Sequence, residues 1–407
     1  MQRDSPKIRI FLPLKNRVVN EFKNFSLESD YTKSCDSFSI EIASNDPKQL
    51  VGLEAQPIEI SINGNPMMVG RVDKTTISDN VSLQMEGRDY IADMVECNID
   101  PLVKLQEGMT LRDAITYAAS PVGIKTVASA DEVELRNIKT GANLGSPPRP
   151  EAMKTKLGSN KPDPGKGIYQ FLNELCIRAG CTIQPTPNDR TQVVVSEPDY
   201  EQPPAYTIKR SIGKKSSENN ILTATVTRDL SSFPTHVLTS ALASPMGVRV
   251  SQDFKPASFA VENPFDSTVF DSQPEVVAIC ANGRIKPGTY GPEFDEFATG
   301  ALYRLLYLRD KKSKDAHAVE NKAVRLMADK LKDTLVYTAT VQGLTTLDGK
   351  VYAIDTVVQV QDEVTQVFEQ LWICGVTYSY SERQGFTTEL RCWRKGAFGI
   401  GTVSVDS

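Results

Sequence analysis

Short runs in which apolar and polar residues alternate occupy both ends of this chain, and a period of two commits each run to a strand with one buried face. Ile8, Ile10 and Leu12 alternate within residues 7–14, and Phe38, Ile40 and Ile42 within residues 37–43. Residues 58–62 alternate again and end in Asn63-Gly64, a pair that suits a two-residue hairpin turn. The returning strand over 67–77 contains Gly70, predicted to mark a bulge. Ser78-Asp79-Asn80 makes the next turn, and Val81, Leu83 and Met85 alternate up to Gly87-Arg88-Asp89. A meander with one buried face is expected to curl into a sheet or small barrel.

The period then changes. Thr110 with Asp113 forms a capping box ahead of a helix bearing Leu111, Ala114, Ile115 and Ala118, stopped by Ser120-Pro121. Residues 141–167 are rich in Pro, Gly, Ser and Lys and read as a long exposed loop. A helix over 168–179 turns Phe171, Leu172, Leu175 and Cys176 inward and stops at Gly180, and strands at 181–184 and 192–196 complete a small α/β module. Residues 198–204 read as a linker. Strands return at 206, 221–228 and 275–281, within a stretch from 240 to 300 that is otherwise loop-rich. An amphipathic helix over 313–335 carries Ala316, Val319, Ala323, Leu326, Met327 and Leu331 on one stripe, expected to pack on its own sheet. Strands at 336–342, 357–361, 371–379 and 387–393 follow, then a small-residue tail. Residues 57–90 and 355–394 share one layout: an alternating strand, a longer strand around a glycine (Gly70; Gly375), and a closing strand. Chance and duplication explain that echo equally well from sequence.

The 407 residues carry a net charge of −5, with 40% hydrophobic and 24% charged residues, the balance of a soluble globular chain rather than a nucleic-acid-gripping one. No run approaches the about 20 apolar residues of a membrane span, and the start is polar without a signal-peptide core, so folding in a cytoplasm is expected. Seven cysteines, without C-x-x-C, read as buried small apolar residues rather than a disulfide framework. His236 and His317 are the two histidines, neither with a Cys or His at ligand spacing. The carboxylate pairs Asp295-Glu296 and Asp362-Glu363 are adjacent in sequence and read as solvated turn residues, not as a glycosidase pair. There is no P-loop, dinucleotide fingerprint or nucleophile elbow. No catalytic, cofactor-binding or metal-binding residue is therefore assigned, no cofactor is expected, and the chain is expected not to be an enzyme.

The order Thr340-Val341-Gln342-Gly343, Leu347-Asp348-Gly349-Lys350-Val351-Tyr352, Val358-Gln359-Val360, Leu371-Trp372-Ile373-Cys374-Gly375-Val376, Gly385-Phe386-Thr387-Thr388-Glu389-Leu390 and Gly396-Ala397-Phe398 is distinctive. So is Gly87-Arg88-Asp89-Tyr90-Ile91-Ala92-Asp93-Met94-Val95-Glu96-Cys97. Together they resemble the baseplate central hub proteins of Mu-like contractile-tailed bacteriophages, the tail hub or late control protein D-like family. Residues 141–167 and 240–300 lie outside that pattern.

The resemblance implies a mainly β, α+β chain with two tube-like β-barrel domains and an intervening small α/β domain, closing as a homotrimer into a pseudo-sixfold ring. Mapped onto this chain, the first barrel is 1–98 and the α/β domain 99–205. The second barrel is 206–240 with 302–395, including the helix 313–335. An insertion occupies 241–301 and a tail 396–407. The implied partners are a trimeric spike below, a hexameric tail tube or tube-initiator protein above, and baseplate wedge and tape-measure proteins, with no sequence-specific nucleic-acid binding. The implied setting is the virion's tail baseplate, assembled in the host bacterial cytoplasm and passing DNA during entry. Two alternatives stand beside it: an all-β carbohydrate-active or envelope-binding tail protein, and a type VI secretion-like spike base.

Overall fold

The computed structural model describes residues 7–128, 162–242, 275–281, 305–310 and 326–397, with short breaks inside these spans. The chain divides into two compact units, Met1–Thr225 with Tyr337–Cys392, and Val226–Val336 with Trp393–Ser407. It is mainly β with a smaller helical share.

The first unit opens with β1 (Ile8–Leu12), β2 (Arg17–Val19), β3 (Asn24–Asp30), β4 (Ser37–Ala43), β5 (Pro57–Ile62), β6 (Asn65–Ser78) and β7 (Ser82–Asp89). The alternation read from the sequence is the burial pattern observed: Ile8, Ile10, Leu12, Phe38, Ile40, Ile42, Ile58, Ile60, Ile62, Leu83 and Met85 are all buried. Asn63 and Gly64 both take positive φ, 52° and 82°, as the two-residue β5–β6 turn requires. Strands β2 and β3 are additional to the sequence reading, although β3 alternates Phe25 and Leu27 with Ser26 and Glu28.

Then come α1 (Ile91–Glu96), α2 (Leu111–Ala119), β8 (Thr126–Ala128), α3 (Ile168–Arg178), β9 (Thr182–Pro185) and β10 (Gln192–Ser196). The Thr110–Asp113 capping box is present in both directions. The helices cover a separate three-stranded sheet, ordered β8-β10-β9, around Leu111, Ile115, Phe171, Leu172, Ile183 and Val193. The residues expected as a linker are packed instead: the Gln202 amide donates to Asp355 O at 2.8 Å, and Tyr200 meets the Trp372 ring edge-on.

Strands β11 (Tyr206–Arg210) and β12 (Ile221–Thr227) follow. Next, β13 (His236–Leu242), β14 (Glu275–Ala281) and β15 (Leu305–Asp310) form a sheet ordered β14-β13-β15 in the second unit. Residues 326 and 329–334 are helical, with Leu331 and Leu335 buried. The rest of the expected helix over 313–335, including Met327, lies outside the described residues, as do most of 141–167, most of 241–301 and nearly all of the tail.

The chain closes with β16 (Val336–Gln342), β17 (Thr356–Asp362), β18 (Gln370–Ser381) and β19 (Gly385–Arg394). Five strands of each half pair in the same order, β3-β4-β7-β6-β5 and β12-β16-β19-β18-β17. The echo between 57–90 and 355–394 is thus one topology used twice. The outer strands differ: β1 pairs antiparallel with β5, whereas β11 pairs parallel with β17. Two closed barrels are not what the described residues form. The halves are continuous, because β18 pairs with β17 over residues 370–373 and then with β3 over residues 375–381, giving one 13-stranded sheet.

Gly70 does not mark the bulge. The β6–β7 register shifts between Val72 and Lys74. Gly70 is glycine because an added Cβ would lie 2.2 Å from Arg88 O, a backbone atom that cannot yield. Gly70→Ala is expected to cost about 2–4 kcal/mol. A thermal melt checks this, and an unchanged melting temperature would show that β6 and β7 have room to part.

Candidate functional site

Three charged clusters hold these strands, and their chemistry decides what the chain can do. The first lies at the β3–β18 junction. Asp30 is buried; its Oδ1 accepts from the Thr32 N–H at 2.8 Å and its Oδ2 from Arg391 of β19. Arg391 Nε also meets Cys374 Sγ at 3.4 Å. Asp36 accepts from Ser29 Oγ at 2.8 Å and from the Asp30 N–H at 3.2 Å. Asp89 accepts from the Asp36 N–H and the Ile91 N–H, each at 2.7 Å. Three buried carboxylates therefore serve as acceptors for turns and strand ends.

The second cluster explains the Gly87–Cys97 motif residue by residue. An added Cβ at Gly87 would lie 2.0 Å from Arg71 O. Arg88 Nε reaches Asp73 at 2.6 Å and its Nη2 reaches Glu96, while Arg71 bridges Asp73 at 2.9 Å, Glu96 at 2.8 Å and Asp93. The Tyr90 hydroxyl accepts from the Thr186 N–H at 2.7 Å and donates to Gln192 O. The motif clamps the N-terminal strands to the α/β module.

The third cluster corrects the reading of Asp362 as a solvated turn residue. It is fully buried. Arg210 of β11 grips it through Nε at 2.8 Å and Nη2 at 2.7 Å, and Tyr337 and Thr365 donate hydroxyls at 3.0 and 2.7 Å. Burial alone would raise this carboxyl. The hydrogen bonds from Arg210, Thr365, Tyr337 and the Val364 N–H outweigh it and hold the pKa at about 2. Its neighbour Glu363 is half-buried and accepts the Ile212 N–H at 2.7 Å.

His236 starts β13, between Ala281 of β14 and Leu305 of β15 in register. His317, Asp295 and Glu296 lie outside the described residues. Among the described residues no group of three or more His, Cys, Asp or Glu is arranged to hold a metal. No helix among them is long and apolar enough to cross a membrane. The cysteines are not uniformly buried: Cys176, Cys181, Cys374 and Cys392 are, Cys35 is half-buried and Cys97 is exposed. Desolvation pushes the Cys35 thiol up to about 11 and the Cys374 thiol up to about 12.

Two outcomes follow from this chemistry. Asp362's folded pKa lies below the roughly 3.9 of an unfolded Asp, so between the two the unfolded chain binds the proton more readily. Its stabilisation is complete above about pH 4 and is lost as pH falls toward 2. Asp362→Asn is expected to cost about 2–3 kcal/mol at neutral pH and to flatten the acid limb of the melting-temperature profile. Equal limbs in variant and parent would count against it. Separately, a thiol-labelling time course on native protein should modify Cys97 before Cys35, Cys176, Cys181, Cys374 and Cys392, with mass mapping as the check.

No family model matches this chain. No curated protein matches it either. Among solved structures it is similar to a tail protein from Neisseria meningitidis MC58, at 20% identity and TM-score 0.70, covering 98% of this chain and 99% of that one. A 43 kDa tail protein of prophage MuSo2 from Shewanella oneidensis shares 16% identity at TM-score 0.67, covering 97% and 99%. The prophage tail protein gp18 from Listeria monocytogenes EGD-e shares 12% identity at TM-score 0.52, covering 95% and 94%. The chain has the fold of these phage tail proteins.

Proposed function

We propose that this chain is a structural hub subunit of a contractile phage-tail baseplate, a homotrimer adapting a threefold spike to a sixfold tail tube. The observation that carries the reading is the duplicated strand order, β3-β4-β7-β6-β5 and β12-β16-β19-β18-β17. A sixfold tube ring presents six equivalent faces, and a threefold spike meets half of them. A trimer whose chains each carry two copies of one sheet topology offers six near-equivalent faces to the tube. The α/β module and the residues between β12 and β16 occur once per chain and so supply threefold features for the spike.

In this reading the open 13-stranded sheet of one chain completes its barrels only in the ring, whose lumen passes DNA. The neighbours above are the tail tube or a tube-initiator protein, the neighbour below is the spike, and wedge and tape-measure proteins touch the periphery and lumen. The setting is the virion tail. The role is not enzymatic, and Asp362, one of the carboxylates weighed for hydrolysis, is wholly engaged in holding β11 to β17.

Native mass spectrometry at micromolar concentration tests the reading. The expected species has three times the chain mass, and class averages down its axis should show a ring with six similar lobes. A protein that stays monomeric, or forms a twofold dimer, would overturn it.

A further inference from the structure

The two copies of the repeat point the same way, and the strand connections at the two ends of the sheet differ in how well they repeat. β18 lies antiparallel on β3, β3 on β4, β4 on β7 and β7 on β6, so four reversals leave β18 and β6 running in one direction. The turns that lead into them, β5–β6 and β17–β18, therefore lie at one end of the sheet. At the opposite end the connections match in length: thirteen residues in 44–56 and in 343–355, and three in 79–81 and in 382–384. At the first end they do not match. β5 and β6 are joined by residues 63–64, β17 and β18 by 363–369; β3 and β4 are joined by 31–36, β12 and β16 by 228–335. The mismatch includes an apolar tip. Val364 and Phe368, in the β17–β18 connection, are 54% and 57% exposed. Ile212 is 63% exposed and follows the end of β11, where Arg210 lies in register with Asp362. The corresponding turn of the first copy is Asn63-Gly64, whose Asn63 Oδ1 accepts the Lys7 N–H at 2.9 Å.

We infer that the tip carrying Ile212, Val364 and Phe368 is a docking site for the threefold spike. Its presence in one copy of the repeat decides the partner. In a ring of three chains the tip occurs three times, so a threefold partner meets every one of them, whereas a sixfold tube would find it at alternate positions only. The connections of matched length occur six times in the same ring and suit the tube. The backbone of the tip is fixed in advance. Asp362 Oδ1 accepts the Val364 N–H at 3.0 Å, the Glu363 N–H donates to Arg210 O at 2.9 Å, and Glu363 Oε2 accepts the Ile212 N–H at 2.7 Å. Apolar side chains held out on a hydrogen-bonded turn bind without a further cost of ordering the loop, and a few such anchors carry most of an interface's energy. The buried Arg210–Asp362 pair thereby gains a second task, holding the tip as well as β11. The assignment rests on the baseplate hub reading and names the surface that meets the spike.

The test measures binding of the full chain to the purified trimeric spike protein of the same phage. Val364→Asp combined with Phe368→Asp should keep the parent's circular dichroism and oligomer mass and weaken spike binding roughly tenfold or more. Ile212→Asp, beyond the end of β11, gives the same reading should the double variant fold poorly. Glu382→Lys combined with Arg383→Glu, exposed at the opposite end, should leave spike binding unchanged. Folded tip variants that bind the spike as the parent does, or an opposite-end variant that loses it, would overturn the site and leave the hub reading standing. A parent chain that binds no spike would overturn both.

Discussion

A ladder of seven residue pairs, Asp30 to Asn24 against Gly375 to Ser381, joins strands about 350 residues apart in sequence, and the rest of the first unit depends on it. Without it the two copies of the repeat would be separate sheets tied by the chain between them. Backbone pairing supplies the attraction and fixes the register, since a slip of one residue would turn Phe25 and Leu27 out of the core. The side chains around the ladder enforce that register from both ends. Phe22 meets Tyr380 edge-on at one end, and Arg391 grips Asp30 at the other. Closing so long a loop is entropically expensive, a cost the seven-pair ladder and its flanking contacts must offset.

The carboxylates of this protein show why charged residues in a motif need not imply chemistry. Asp30, Asp36, Asp89 and Asp362 are buried, and in an enzyme such groups would be candidates for perturbed acids and bases. Here their oxygens accept backbone N–H groups, hydroxyls or guanidinium. Holding Asp362 near the bottom of the carboxylate range suits a permanent tie, because the group stays charged from neutral pH down toward about pH 2. The glycines of the motifs work by the same economy of space. At Gly70 and Gly87 a backbone carbonyl of the facing strand occupies the position of a Cβ.

The repeat also accounts for where the chain tolerates elaboration. Between β3 and β4 lies a short turn built on Asp30, Thr32 and Asp36, while between the equivalent β12 and β16 lies everything from β13 to β15. The hairpin geometry needed by the sheet survives because its strands are fixed by β4 and β7 in one copy and by β19 in the other.

Most strands of the first unit were determined by sequence alone, because period-two burial and the Asn63-Gly64 turn are local properties of a few consecutive residues. The capping box at Thr110 and the helix after Gly167 were equally local. The bulge at Val72–Lys74, the role of Gly70 and the burial of Asp362 were not, since each depends on an atom contributed by a distant strand: Arg88 O for Gly70, and Arg210 for Asp362. The role of β3 shows the division most plainly. Its alternation of Phe25 and Leu27 marks a strand, but nothing within residues 24–30 specifies that one edge belongs to β4 and the other to β18. Strand edges carry the same N–H and C=O groups whatever the sequence, so partners are chosen by the packing of whole sheets, and only the tertiary structure decides them.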